Sequence, residues 1–162
     1  MIESQQLLQP LNYIPADIYC AQDYELLAQG FIPALSYAYA FTIAGGSGRD
    51  QTLAANQAAF SKYPVVPRIL RDLIQGNAQI SLLGKNYSHP IFLAPVAYQK
   101  LAHPQGELDT ARAADATDTC MIPSTLSSYS LEEIARVGTA DKWFQLYFQP
   151  SREATLGFIE TR

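Results

Sequence analysis

Three short apolar runs, separated by helix-like sequence, dominate the second half of the chain. They are Ile91–Ala94, Cys120–Ile122 and Trp143–Phe148. Small or polar residues follow each run, and the sequence after them has helical periodicity. Strands that alternate with helices of this length predict βαβ units and a parallel sheet. The pattern therefore predicts an α/β fold with about three βα units, which is either a small open domain or the first part of a barrel.

The helices between these strands have local start signals. A helix is predicted over residues 106–117, where alanines recur at helical spacing. Ser130, followed three residues later by Glu133, forms a capping box that predicts a helix over 131–136. A last helix is predicted over 151–162, because a serine at its start can cap it.

Upstream of the strands the pattern predicts an irregular arm and then helices. Prolines interrupt residues 1–20, which favours irregular structure. Short helices are predicted over 21–28, 34–41 and 51–62, and Asp50 is expected to cap the third of them.

Between these helices and the first buried strand, the sequence favours β-structure. Residues 65–70 are β-rich but contain a proline, which predicts an edge strand. A hairpin is expected with residues 80–83 as its first strand, 84–86 as its turn and its second strand from Tyr87 onward. We therefore divide the chain into an N-terminal arm with helices, 1–63, and an edge hairpin with three βα units, 64–162, which together form one domain.

Composition and charge exclude several classes of protein. The net charge of −4 comes without a basic stripe, which argues against a nucleic-acid partner. No apolar run approaches the ~20 residues that span a bilayer, and the first residues do not resemble a signal peptide. Cys20 and Cys120 lie far apart in the sequence and are expected to be free thiols. These observations predict a cytoplasmic protein.

The carboxyl ends of the predicted strands contain the candidate site. In a parallel sheet, ligands bind outside these ends. The residues there are Pro95–Ala97, Ser124, Gln145 and Tyr147. Each is also common as a turn or core residue, but their convergence at one edge favours a site. Neutral donors and acceptors suit a planar heteroaromatic ligand, and no nucleophile–base pair supports hydrolysis.

A second group of polar residues, His103 and Glu107, follows the first strand. One histidine and one carboxylate are too few for a metal site, so no metal is predicted. His103 is expected to fix its loop by hydrogen bonding. Glu107 is expected to be a favourable charge in the first turn of a helix.

The sequence resembles the FMN-dependent 2-hydroxy-acid oxidase and dehydrogenase family, of the glycolate oxidase and lactate oxidase type. The resemblance is firm over residues 64–150. The motifs that carry it are Pro67–Asp72, Pro90–Lys100, His103–Glu107, Ser124–Thr125, Ser130–Glu133 and Trp143–Tyr147.

The resemblance implies a TIM (β/α)8 barrel, here incomplete with about three βα units, and FMN as the cofactor. The backbone of Pro95, Val96 and Ala97 would lie beside the flavin ring. Ser124 and Gln145 would hydrogen-bond the polar edge of the ring. The substrate would be a small L-2-hydroxy acid, and the family suggests a homo-oligomer.

For substrate binding, the resemblance implies Tyr147 and the position of Thr42, where the family has a tyrosine. The family's catalytic histidine, flavin-side lysine, substrate arginines and phosphate loops are expected beyond Arg162. The 162 residues alone are therefore expected to be inactive, as the N-terminal portion of such an enzyme. The alternative is a non-catalytic truncated remnant, or a binding fragment that needs a partner chain to fold.

Overall fold

The computed structural model describes residues 7–37, 48–72 and 74–160. They fall into two compact units, Met1–Asp72 and Leu73–Arg162. Among the described residues, no helix combines the length and the apolar character needed to cross a membrane.

The first unit is helical. Helix α1 spans Asp23–Ala28, residues 34–37 are also helical, and α2 spans Gln51–Ala59 with a 3-10 turn at Phe60–Lys62 after it. The carboxylate of Asp23 fixes the start of α1, because it accepts hydrogen bonds from two preceding backbone amides. Thus the predicted helices over 21–28 and 51–62 are confirmed.

Two predictions for the first unit differ from the structure. Asp50 has a left-handed backbone (φ 55°) and makes no capping bond. A capping residue needs an extended backbone to turn its side chain towards the helix, so the prediction of Asp50 as a cap was wrong. Residues 65–70 form no strand. The remainder of the predicted 34–41 helix and Thr42 lie outside the described residues.

The second unit begins with a hairpin. Strand β1 (Ile80–Leu82) pairs antiparallel with β2 (Lys85–Tyr87), which confirms the predicted hairpin, although β2 begins two residues earlier than expected. Leu83 and Gly84 join them with φ angles of 51° and 80°. Two positive φ angles in a two-residue connection match the right-handed twist of the paired strands.

The parallel sheet follows. Strand β3 (Phe92–Leu93) and β4 (Cys120–Met121) pair in parallel, with Leu93 opposite Met121. Helix α3 (Gly106–Ala116) connects them. Two isolated parallel bridges, Met121 to Lys142 and Ser124 to Gln145, add the next segment beside β4. Helix α4 (Leu131–Arg136) lies between β4 and that segment, and α5 (Arg152–Glu160) follows it.

The predicted strands therefore lie in the right places, but the observed strands are shorter than the predicted ones. The third, Trp143–Phe148, contains a single bridge at Gln145, with another at Lys142 just before it. The first is two residues long, and Ile91 is 65% exposed. Among the described residues this segment pairs on one side only, with Met121 of β4 and with Ser124 beyond it.

Side chains alternate across this sheet. On the helix side, Met121 packs with Ala111, Ala114 and Ile134 in a core whose members are at most 2% exposed. On the opposite side, Phe92 contacts Trp143 at a centroid distance of 5.4 Å. The opposite side, called the inner face here, therefore continues along alternate residues to Ser124 and Gln145.

Candidate functional site

The carboxyl ends of the three parallel segments meet, and the predicted site residues lie there. The bridge between Ser124 and Gln145 places those two residues side by side. The Tyr98 amide donates to the Leu126 carbonyl at 3.0 Å, which brings the loop after β3 beside the loop after β4. Hydrogen bonds thus join the neighbouring strand ends in pairs.

Ser124 and Gln145 form a defined polar pair. The Ser124 hydroxyl donates to Oε1 of Gln145 at 2.9 Å and accepts the Leu126 amide at 3.1 Å. Ser124 is 4% exposed, whereas Gln145 is half-buried. Within the described ranges, Nε2 of Gln145 donates to no acceptor. The serine therefore fixes the amide and leaves its two N–H donors available to a ligand.

The loop Pro95–Ala97 contributes backbone donors. Pro95 and Val96 are exposed and Ala97 is half-buried. The Val96 carbonyl accepts from Gln99 Nε2 at 3.4 Å. In the described part of the chain, the amides of Val96 and Ala97 donate to no acceptor. This loop therefore offers N–H groups at the same edge of the sheet as Gln145.

Tyr147 lies two residues after Gln145, beyond the bridge that joins Gln145 to Ser124. Tyr147 is 53% exposed, and its amide donates to Oγ1 of Thr125 at 2.9 Å. Oγ1 of Thr125 in turn donates to the Gln145 carbonyl at 2.6 Å. Tyr147 is thus held by its backbone while its ring is accessible.

Sequence reasoning missed the role of Glu107. It was expected to be a favourable charge in the first turn of a helix, and it does lie there, but it is fully buried. Its Oε1 accepts the amides of Gln99 and Ser128, one from each site loop. The only signal in the sequence was its place in the His103–Glu107 motif. His103, as predicted, fixes its own loop, since Nδ1 accepts the Gln105 amide at 3.3 Å.

The site is neutral in the described residues. Ser124, Gln145, Tyr147 and the backbone of Pro95–Ala97 carry no charge, and no group of three metal-ligating side chains occurs in the described ranges. His89 is not part of this site, and its Nε2 lies 3.3 Å from the carbonyl oxygen of Thr117. Such an arrangement can bind and orient a flat polar ring, but it contains no general base.

Comparison with known proteins identifies the group to which this arrangement belongs. The family model of FMN-dependent dehydrogenases matches residues 28–161. An L-lactate oxidase of Alicycliphilus denitrificans is 48% identical over 152 residues, covering 94% of this chain and 41% of the relative. An L-lactate oxidase of Lysinibacillus sphaericus is 41% identical, covering 83% of this chain and 34% of the relative.

A solved structure agrees with these relatives. The crystal structure of a mandelate oxidase superposes with a TM-score of 0.78 at 41% identity, covering 86% of this chain and 40% of the mandelate oxidase. The chain thus spans about two fifths of the length of these relatives. Because the match extends over most of its residues, the chain belongs to the family of FMN-dependent dehydrogenases.

Proposed function

We propose that the chain supplies the flavin-ring wall of an FMN-dependent oxidase of small L-2-hydroxy acids of the lactate or glycolate type. The observation that carries this proposal is the Ser124–Gln145 pair, which presents an amide donor at the carboxyl edge of the sheet. The oxidases of lactate and mandelate among its relatives support the substrate class. In this proposal the three βα segments form part of a (β/α)8 barrel.

The donor set fits the ring end of FMN. The polar edge of a flavin ring carries carbonyl oxygens and unprotonated ring nitrogens, which accept hydrogen bonds, and one imide N–H, which donates. Gln145 Nε2 and the amides of Val96 and Ala97 are donors without acceptors in the described residues. Because none is charged, they would bind the ring without favouring a phosphate or a metal ion.

When bound, FMN would take up the hydride from the substrate. The protein residues would bind and orient. The phenol O–H of Tyr147 would donate a hydrogen bond to the carboxylate or hydroxyl of the substrate. The two histidines of the sequence, His89 and His103, are held in other hydrogen bonds. We propose that a segment outside these 162 residues supplies the base, which typically contributes 10²–10⁴-fold.

We also propose a cytoplasmic location and a small-molecule partner. Cys20 and Cys120 are both free, which suits a reducing compartment. The net charge of −4 favours a small-molecule ligand over nucleic acid.

A flavin titration tests the proposal. FMN fluorescence and visible circular dichroism would be followed with the chain and with Gln145→Leu. Loss of the amide should weaken binding by about tenfold, the value of one good hydrogen bond. Gln79→Leu, an exposed glutamine next to the hairpin, should bind as the original chain does. If FMN fluorescence and visible circular dichroism both stay unchanged with the chain at millimolar concentration, the proposal is contradicted.

The same samples test activity. Under anaerobic conditions with L-lactate or glycolate, the flavin absorbance should decay no faster than that of free FMN. Faster bleaching would show that the 162 residues contain a base that the structure does not reveal.

A further inference from the structure

Glu107 is a buried carboxylate in the first turn of α3. Its side chain is 0% exposed. Oε1 accepts the Gln99 amide at 3.1 Å and the Ser128 amide at 2.9 Å. Oε2 is buried and has no hydrogen-bond partner among the described residues. Burying a carboxylate is unfavourable unless its hydrogen bonds compensate for the lost hydration. The hydrogen bonds from the two amides therefore explain why Glu107 is buried.

The two amides belong to the two loops of the candidate site. Gln99 follows the Pro95–Ala97 segment, and Ser128 follows Ser124. They lie 8 and 21 positions from Glu107 in the sequence. A single carboxylate oxygen therefore joins the loop after β3 to the loop after β4.

Other contacts between these two loops require the same relative position of the loops. Tyr98 has a left-handed backbone with φ 51°, which an L-residue adopts only when its surroundings impose it. The Tyr98 amide donates to the Leu126 carbonyl at 3.0 Å, and the Lys100 amide donates to the Ser128 hydroxyl at 3.3 Å. The Lys100 ammonium also lies 4.6 Å from the ring centre of Tyr129. Glu107 is the buried member of this set.

We infer that Glu107 is a positioning residue that locks the two loops together and so fixes the donors of Ala97 and Gln145 relative to the flavin ring. The link between the two loops through Glu107, called the lock here, is inferred from the contacts above. Its effect on FMN binding rests on the proposed function. Donors that are already held in place before a ligand arrives bind it more tightly, because less ordering is required.

Amide hydrogen exchange, followed by NMR, tests the lock without any flavin. In Glu107→Ala, the amides of Gln99 and Ser128 should exchange at least about tenfold faster, because each loses a hydrogen bond to a carboxylate. Glu107→Gln retains an oxygen in the Oε1 position and should restore most of the protection. Restoration by the isosteric variant separates positioning from a general loss of structure.

FMN binding by the same variants tests the consequence. Glu107→Ala should weaken FMN binding by about tenfold, as expected for the loss of one such bond. Glu107→Gln should bind within about threefold of the original chain, because the acceptor remains.

Asp115→Ala is the matched control. Asp115 lies at the other end of α3 and also accepts two backbone amides, those of Thr139 and Ala140. It should leave exchange at Gln99 and the affinity for FMN unchanged.

Three results would overturn the inference: fast exchange of Gln99 and Ser128 in the original chain, equal acceleration by Asp115→Ala, or no acceleration by Glu107→Ala. An original chain that protects both amides but does not bind FMN would refute the proposed function and leave the lock intact.

Discussion

At the scale of single residues, Asp115 shows how one carboxylate connects a helix end to a distant loop. Its Oδ1 accepts the Thr139 amide at 2.6 Å, the Thr139 hydroxyl at 2.9 Å and the Ala140 amide at 2.9 Å. A negative charge near the C-terminus of a helix is unfavourable on its own. The hydrogen bonds, led by that of the Thr139 hydroxyl, and the charge of Lys142 nevertheless hold the pKa of Asp115 below its usual value of 3.8.

This lowered pKa predicts a pH dependence of stability. A carboxyl whose folded pKa lies below its unfolded value stabilises the fold above the unfolded value, and that stabilisation is lost as the pH falls through the folded pKa. Asp115→Asn should therefore lower the urea midpoint near neutral pH, and the difference should narrow below pH 3.8. Urea unfolding at a series of pH values measures the difference in midpoint between the original chain and Asp115→Asn. A difference that stays constant down to strongly acidic pH would refute the assignment.

The contrast between Glu133 and Glu107 explains which residue roles a sequence can reveal. Glu133 accepts the Ser130 amide three positions away, so the capping box was visible as a spacing. The partners of Glu107 lie in other loops, and their proximity arises only after the strands pair. Ser124 and Gln145 were foreseeable for another reason, because strand ends in a parallel sheet converge whatever their separation in sequence.

At the scale of elements, α4 is short and depends on its cap. The helix has only six residues, and the Ser130 hydroxyl accepts the Glu133 amide at 3.2 Å. Its single fully buried side chain, Ile134, completes the core around Met121. Short helices are marginal by themselves, so the cap and this contact stabilise α4 together.

Removing the cap should therefore be measurable. Ser130→Ala is expected to lower the free energy of unfolding by about 1 kcal/mol, and Ser130→Asp should recover most of the loss, because aspartate caps equally well. Chemical denaturation compares the three proteins. If Ser130→Ala unfolds at the original midpoint, the capping box contributes nothing to the fold.

Elements with local signals were predictable, and elements that need a partner were not. The β1–β2 hairpin was predictable from its glycine, although the turn lies at Leu83–Gly84 and not at the predicted residues 84–86. Residues 65–70 have equally strong β-propensity but form no strand. Propensity reflects packing on a sheet, so it has no effect where no neighbouring strand is available.

At the scale of the whole molecule, the sheet of the second unit has an open side. Residues 142–145 pair with β4 and its continuation, and no strand pairs with their other side in the described ranges. The apolar residues that follow are exposed, with Phe148 at 88%. Unprotected edges of this kind promote association.

We therefore expect the chain to self-associate with rising concentration through this edge. Phe148→Lys should reduce the association, because a charge at an edge disfavours pairing. Leu83→Lys is the matched control, since Leu83 is 82% exposed and lies in the hairpin turn, outside residues 142–148. Sedimentation analysis over a concentration series distinguishes the variants. If both variants self-associate as strongly as the original chain does, the edge is not involved.

The short sequence separations within the second unit have a consequence for synthesis on the ribosome. Ser124 and Gln145 are 21 positions apart, and Lys100 and Ser128 are 28 apart. Closing such loops costs little entropy, and the cost rises only slowly with length. Each strand can therefore join its predecessor soon after it emerges, in the order of translation. In that order Met121 packs first against α3, and Ile134 of α4 then completes the core, which limits the exposure of apolar strands to chaperones and to other chains.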